Sequence, residues 1–364
     1  MNLEYLAPAP ARSDYGIGVV GAGFIVRDIQ LVAYQNAGFP VLGLMSRTQE
    51  RAQEVARLRG IPHVYGTLEA LLENPAIAIV DIAVPPDRQL PIVRQIAGAP
   101  RKPQGILAQK PLAMDYQQAL ELVQVCKEAG IKLAVNQNMR YDHSIRSLKS
   151  LLGKGWLGEP VLATIEMRAV PHWQKWQAAY SRLTLLNMSV HHLDSFRYLF
   201  GDPAAVYVSA RSDPRTKFAH TDGICLYILE YDNGFRASAW DDIWAGPRTP
   251  QDNLEPYIKW RVEGTEGLAE GFIGWPQYPN HQPSQLRYTS SRQPGLWITP
   301  KWSEAWFPDA FSGPMAALMD ALARGAEPEN SGDDNLKTMA LVEACYRSLA
   351  EKRAVRVAEI WQHE

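Results

Sequence analysis

The sequence predicts an α/β domain built on a doubly wound parallel sheet, followed by an α+β domain with an open, mostly antiparallel sheet. Three observations carry this prediction. The β-branched run Ile17-Gly18-Val19-Val20 opens directly into two closely spaced glycines, Gly21 and Gly23. Strand and helix signals then alternate over about 120 residues, the rhythm of units in which each helical crossover covers a parallel strand. After Asn136 the rhythm changes to successive strands, two of them joined by Tyr231-Asp232-Asn233-Gly234, where Asn-Gly tolerates the positive φ of a hairpin turn.

The elements follow in order. Residues 1–14, with Pro8 and Pro10, form a loose arm. The first strand covers 17–20 and the first helix 24–37. A second strand, 40–45, leads to a helix that Thr48 caps and Gly60 ends. After a short strand at 64–65, Thr67 caps the small helix TLEALLEN. The run AIAIVDIAV at 76–84 is too continuously apolar for a one-sided strand and predicts one buried on both faces of a parallel sheet. Helix 87–97, strand 105–109, helix 115–129 and strand 132–136 complete the domain, with Asp115 and Gln118 in a capping-box arrangement.

Beyond the boundary, expected near 137–143, a helix covers 144–152. Strands follow at 161–168, 205–210, 223–231, 235–241, 257–263 and 267–273, interrupted by a helix over 186–200. Helices at 311–324 and 333–352 and a strand at 355–357 close the chain. The division is therefore 1–140 and 141–364, with the final helix free to pack back against either domain.

Composition narrows the function classes. Apolar residues make up 46% and charged residues 21%, which fits a globular chain and excludes a disordered or collagen-like one. A net charge of −2 provides no electrostatic footprint for nucleic acid or an anionic membrane. No apolar run approaches the ~18 residues of a membrane span, and the start MNLEYLAPAPARSD has neither a basic nor an apolar leader region, so the cytoplasm is expected. Cys126, Cys225 and Cys345 lie far apart, with no CxxC and no histidine at metal spacing, and are read as reduced packing residues with no metal site. The eleven tryptophans concentrate after position 150. Flat apolar faces of this kind suit a pocket that stacks a ring, although most must be core.

In a doubly wound sheet, ligands bind beyond the carboxyl ends of the strands. The turn at Gly21, Gly23, Phe24 and Ile25 is written as a dinucleotide-binding turn: Gly21 for the tight bend, Gly23 for close approach of a pyrophosphate to the backbone, and a following helix with free N–H groups. Val26 fills the usual third small position. At the end of the second strand stand Ser46 and Arg47, where an NAD-preferring protein usually carries Asp or Glu. Their charge and hydrogen bonding argue for NADP with NAD as the alternative, or Arg47 is simply a solvated first-turn residue. Val84, Pro85 and Pro86 can lie flat beside a ribose or adenine, or they only start a helix. Lys110 is a cation at the nicotinamide end, able to donate to a substrate oxygen, unless it is a surface lysine at a strand end. Asn138 follows the last strand. On the 186–200 helix, Asn187, His191 and Asp194 share one face at spacings of four and three, and His192 lies about 100° away. An oriented imidazole can act as a general base near neutral pH, and a hydrogen-bonded core histidine is the alternative.

With these residues in place, the chain resembles the Gfo/Idh/MocA oxidoreductases over almost its whole length. The resemblance rests on GAGFIV at 21–26, AQKPLA at 108–113, LAVNQNMRYD at 133–142 and the HxxD of His191 and Asp194. It implies a Rossmann domain at 1–140 and a substrate-binding domain at 141–364, whose sheet makes a homodimer or homotetramer interface. It also implies hydride transfer at a secondary alcohol of a sugar, inositol or related polyhydroxy ring. By position, Lys110 corresponds to the motif lysine and His191 to the helix histidine, while Asn138 and Arg140 lie near the cofactor or substrate. The family's usual Glu-Lys-Pro is here Gln109-Lys110-Pro111, its aspartate four residues before the histidine is Asn187, and the glycine between is Ser189. Asn187 can orient the ring but carries no charge to stabilise an imidazolium, so His191 is expected to be a weaker base.

The expectation is that the cofactor lies over 21–24, Lys110 binds the substrate oxygen, and His191 removes the hydroxyl proton. Trp173, Trp176, Tyr180 and Trp244 are candidates to stack on the sugar face, with His172 and His192 as polar contacts. Asn187 leaves room for a lyase or glycoside hydrolase that retains its nicotinamide, or for a silent nucleotide-binding protein.

Overall fold

The structure, a computed structural model, describes residues 3–169, 176–243, 256–275 and 278–361. Within these, one compact unit holds 7–141 and 307–339, and a second holds the remainder.

The first unit is a six-stranded parallel sheet in the order β3-β2-β1-β4-β5-β6. Its strands are β1 (Gly16–Val20), β2 (Val41–Met45), β3 (His63–Tyr65), β4 (Ile77–Ile82), β5 (Gly105–Ala108) and β6 (Lys132–Val135). Helices α1 (Leu31–Ala37), α2 (Gln49–Arg59), α3 (Leu68–Glu73), α4 (Pro86–Gly98) and α5 (Tyr116–Glu128) cross between them. The central strands are buried on both faces, as their apolar runs require. One residue breaks that pattern. Asp81 lies inside β4 at 1% exposure, where Gln30 Nε2 and the Tyr34 hydroxyl donate to its Oδ2 at 2.7 and 2.8 Å.

The helix expected over 24–37 does not run as one α-helix. Ile25–Gln30 winds in the wider π form and only then continues as α1, which ends at Gly38 with φ 71°. Thr48 takes the extended backbone of an N-cap, yet its side chain makes no capping bond. Thr67 and Asp115 do cap, accepting from the backbone N–H of Ala70 at 3.2 Å and of Gln118 at 2.8 Å.

The second unit begins with α6 (His143–Gly153), capped by the buried Asp142, whose carboxylate accepts from the Ser144 N–H at 2.9 Å. Its sheet has eight strands in the order β13-β12-β11-β7-β10-β9-β8-β14. They are β7 (Pro160–Arg168), β8 (Ala205–Arg211), β9 (Ile224–Glu230), β10 (Arg236–Asp242), β11 (Tyr257–Gly264), β12 (Gly267–Phe272), β13 (Gln285–Ser290) and β14 (Val355–Arg356). Among the described residues only β7 and β10 of this sheet pair in parallel. The Asn-Gly turn joins β9 to β10, with Gly234 at φ 89°. Strand β13, whose QLRYTS alternates exposed and buried, has no counterpart among the strands expected from sequence. The inner face of β9 buries Cys225, Tyr227 and Leu229, while Leu226 and Ile228 point outward, 47% and 46% exposed. Helix α7 (Val190–Phe200) follows a π-wound turn, Leu185–Ser189.

The segment 307–339, which follows the second unit's sheet in sequence, packs with the first unit. Helix α8 (Ser312–Arg324) contributes Met315, Leu318 and Met319 to the core around Ile17, Val19, Leu44, Ile79 and Leu107 of the parallel sheet. The physical reason is that such a sheet exposes apolar side chains on both faces and both must be covered. The spacing i, i+3, i+4 gives α8 one apolar stripe for that purpose. Helix α9 (Gly332–Glu351) is divided between the two units at Met339. No helix among the described residues is long and apolar enough to cross a membrane.

Candidate functional site

In the first unit the candidate residues stand at the carboxyl edge of the parallel sheet. Gly21 has φ 132°, and a Cβ there would lie 2.3 Å from the carbonyl oxygen of Ala83, so no other residue fits. Its N–H donates to Met45 O at 2.8 Å, while the Ala83 N–H donates to Val20 O at 2.9 Å, which ties together the ends of β1, β2 and β4. Gly23 differs. Among the described residues, chain neighbours aside, no atom lies within 4 Å of the position its Cβ would take, so that side of its backbone is open. Phe24 is 40% exposed and Ile25 half-buried, whereas Val26 points into the core.

Ser46 is half-buried and Arg47 exposed at the end of β2. Val84 and Pro85 are half-buried beyond β4, with Pro86 at the first position of α4, where a missing N–H costs no helical bond. Lys110 is half-buried just past β5, and a cis bond links it to Pro111. Removal of water from around its ammonium lowers its pKa to about 8. Asn138 is buried, its amide donating to Asn136 O at 3.1 Å. Arg140, 3% exposed, donates to Glu329 O at 2.8 Å and pairs with Asp334. That guanidinium therefore joins the segment 307–339 to the first unit.

In the second unit Asn187, His191 and Asp194 are all buried, at 8%, 4% and 1% exposure. Asn187 lies in the π-wound turn and His191 in α7, so their spacing of four does not fall on one uninterrupted α-helix as the sequence predicts. The His191 ring meets Trp306 edge-on, with centroids 5.4 Å apart and planes at 87°. His192 turns elsewhere. Its Nδ1 lies 2.8 Å from Asp241 Oδ1, and Asp241 also accepts from the Tyr227 hydroxyl at 3.3 Å and from Ser189 Oγ. The His192 ring, at 1% exposure, thereby links α7 to β10. Trp176 and Tyr180 are half-buried and pack edge to face at 5.6 Å. His172, Trp173 and Trp244 lie outside the described residues. Among the described residues no group of three or more His, Cys, Asp or Glu is placed to hold a metal, and all three cysteines are buried and free of disulfides.

Residues 15–137 match the oxidoreductase family with an NAD-binding Rossmann fold, and residues 149–357 match that family's C-terminal alpha/beta domain. The chain belongs to this Gfo/Idh/MocA oxidoreductase family. Its relatives include a D-apiose dehydrogenase from Paraburkholderia graminis, 27% identical over 352 residues that span 94% of this chain and 89% of the relative. A 1,5-anhydro-D-fructose reductase from Ensifer adhaerens is 28% identical, over 93% of this chain and 98% of its own. An oxidoreductase from Agrobacterium radiobacter, solved in complex with NAD+, L-tartaric acid and magnesium, is 25% identical and superposes with a TM-score of 0.78, covering 95% of this chain and 99% of that one. The parallel-sheet unit is thus the family's NAD-binding Rossmann domain.

Sequence reasoning did not find Trp306 beside His191 or Asp241 beneath His192, because partners so distant along the chain leave no local pattern. Asp81 was not singled out from sequence, since the run around it reads as continuously apolar. Gln89 carried no signal of its own.

Proposed function

We propose that the protein transfers a hydride between a nicotinamide cofactor and a secondary alcohol or ketone of a sugar, inositol or related polyhydroxy ring. The observation that carries this is Lys110, a half-buried lysine with a lowered pKa at the same sheet edge as the open glycine turn. The names of the relatives, an apiose dehydrogenase and an anhydrofructose reductase, support the ring substrate. Bound over residues 21–25, the cofactor supplies the ring that accepts or returns the hydride. Lys110 donates a hydrogen bond to the substrate oxygen and, as an ammonium, offsets the negative charge that grows there. His191 takes the hydroxyl proton as the hydrogen on the carbinol carbon leaves with its bonding electrons. Asn187 and the edge of Trp306 orient and desolvate that imidazole.

Ser46 and Arg47, with no acid at the end of β2, favour NADP over NAD. Trp176 and Tyr180 offer aromatic faces to the substrate ring, joined in this reading by Trp173 and Trp244, with His172 as a polar contact. Val84, Pro85, Pro86 and Asn138 line the cofactor's path. The outer sheet face supports a homodimer or homotetramer: Tyr207 pairs with Ile228 and Leu226 with Trp240, so four exposed apolar side chains adjoin across β8, β9 and β10. Three buried free thiols suit the reducing cytoplasm.

The test is the nicotinamide absorbance of the purified protein with NADP, then NAD, across sugars, inositols, sugar acids and glycosides. Continuous growth of reduced cofactor with one of these substrates is expected. A signal that stops at one equivalent per site, or none although nucleotide binds, refutes net oxidation.

A further inference from the structure

We propose that Gln89 is a positioning residue for Lys110, its carboxamide bracketing the backbone on both sides of the lysine. Gln89 lies in the first turns of α4 and is fully buried. Its Nε2 donates to Gln109 O at 2.9 Å and to Pro111 O at 2.8 Å, and its Oε1 accepts from the Gln109 N–H at 2.9 Å. Both amide hydrogens and the carbonyl are thus committed to the residues immediately before and after Lys110. A side chain chosen only to fill space would not need these groups, because a buried amide is stabilising only when its partners are in place.

The other side of the segment is held by a second amide. Gln109 Oε1 accepts from the Lys110 N–H at 3.0 Å, and Gln109 Nε2 reaches Gln30 Oε1 at 3.5 Å. Gln30 in turn donates to the buried Asp81 at 2.7 Å. This gives a reason for glutamine at position 109, where the resemblance leads one to expect glutamate. A carboxylate has no hydrogen to give to Gln30 Oε1 and would set acceptor against acceptor. The lysine is therefore carried on a frame of neutral amides, fixed from beneath by α4 and from the side by the π-wound turn after the glycines.

The inference rests on the chemical role proposed for Lys110, but it is tested without substrate. The protein is labelled with acetic anhydride over a range of pH, and the acetylation of Lys110 is followed by peptide mass spectrometry in wild type and Q89L. A loosened segment lets water reach the ammonium, so the midpoint in Q89L should rise from about 8 by about one pH unit, and labelling near pH 7 should slow about tenfold. A folded Q89L whose Lys110 labels as in wild type overturns the inference. If Q89L does not fold, Q89N serves: it keeps an amide one methylene short, should move the midpoint in the same direction, and with an unmoved midpoint overturns the inference equally. A separate K110M variant that keeps the wild-type rate of cofactor reduction would refute the chemical role of Lys110 while leaving the labelling result to decide that of Gln89.

Discussion

Replacing Asp81 by asparagine should change how stability depends on pH, and the size of the change follows from where the carboxyl sits. Asp81 lies between Val19 of β1 and Leu107 of β5, at 1% exposure, and desolvation raises its pKa to about 7 although Tyr34 and Gln30 donate to it. In the unfolded chain the same group titrates near 3.9, so over roughly pH 4 to 7 the native state holds a proton that the unfolded state has lost. Acid therefore favours the native state. The contribution is complete below about pH 4, falls as pH rises, and is gone above about 7. Integrating between the two values gives a loss of about 1.5 kcal/mol by pH 5 and about 4 kcal/mol by pH 8, hence about 2.6 kcal/mol across that interval. Asparagine can place its carbonyl where Oδ2 accepts both hydrogen bonds, and it does not titrate. Urea denaturation at pH 5, 6, 7 and 8 should then show D81N gaining about 2 to 3 kcal/mol on wild type from the lowest pH to the highest. A difference constant to about 0.5 kcal/mol over that range would mean that Asp81 titrates like an exposed carboxylate, and the burial argument would fail.

Three further outcomes are expected. H191A should lower kcat by about a hundredfold or more if His191 moves the hydroxyl proton, and a loss of only a few-fold would remove it from that role. If Arg47 holds the 2′-phosphate as proposed, R47E should raise KM for NADP about tenfold or more while leaving KM for NAD within about twofold; equal changes for both would remove Arg47 from cofactor choice. L226E places a carboxylate in the outer apolar stripe and should shift the sedimentation of the protein toward monomer without loss of secondary structure, whereas unchanged sedimentation would place the assembly surface elsewhere.

Particular residues show how far the sequence could be read. Gly21 was legible because a strand that runs into glycine needs a backbone no other residue adopts, and the structure supplies the reason in the Ala83 carbonyl 2.3 Å from its missing Cβ. Lys110 was legible through its motif and its place after a buried strand. The phase of α7 was not, because a π-wound turn is a local choice of hydrogen bonding that the apolar pattern does not encode. His192 looked like a polar neighbour of His191 on a helix, yet Asp241, brought by a strand far along the chain, draws it into the interior.

The sequence by itself determined the alternation of strands and helices, the glycine turn, the helices capped by Thr67 and Asp115 and the hairpin at Asn233-Gly234, since each depends on a few neighbouring residues and the period of the apolar ones. Tertiary structure alone decided that 307–339 returns to cover the parallel sheet, that Gln89 brackets Lys110, and that Asp81 joins Gln30 and Tyr34 in a buried network. These depend on which distant surfaces and polar groups find one another once the chain is compact, where an unpaired amide or carboxyl is costly and a paired one is held in place.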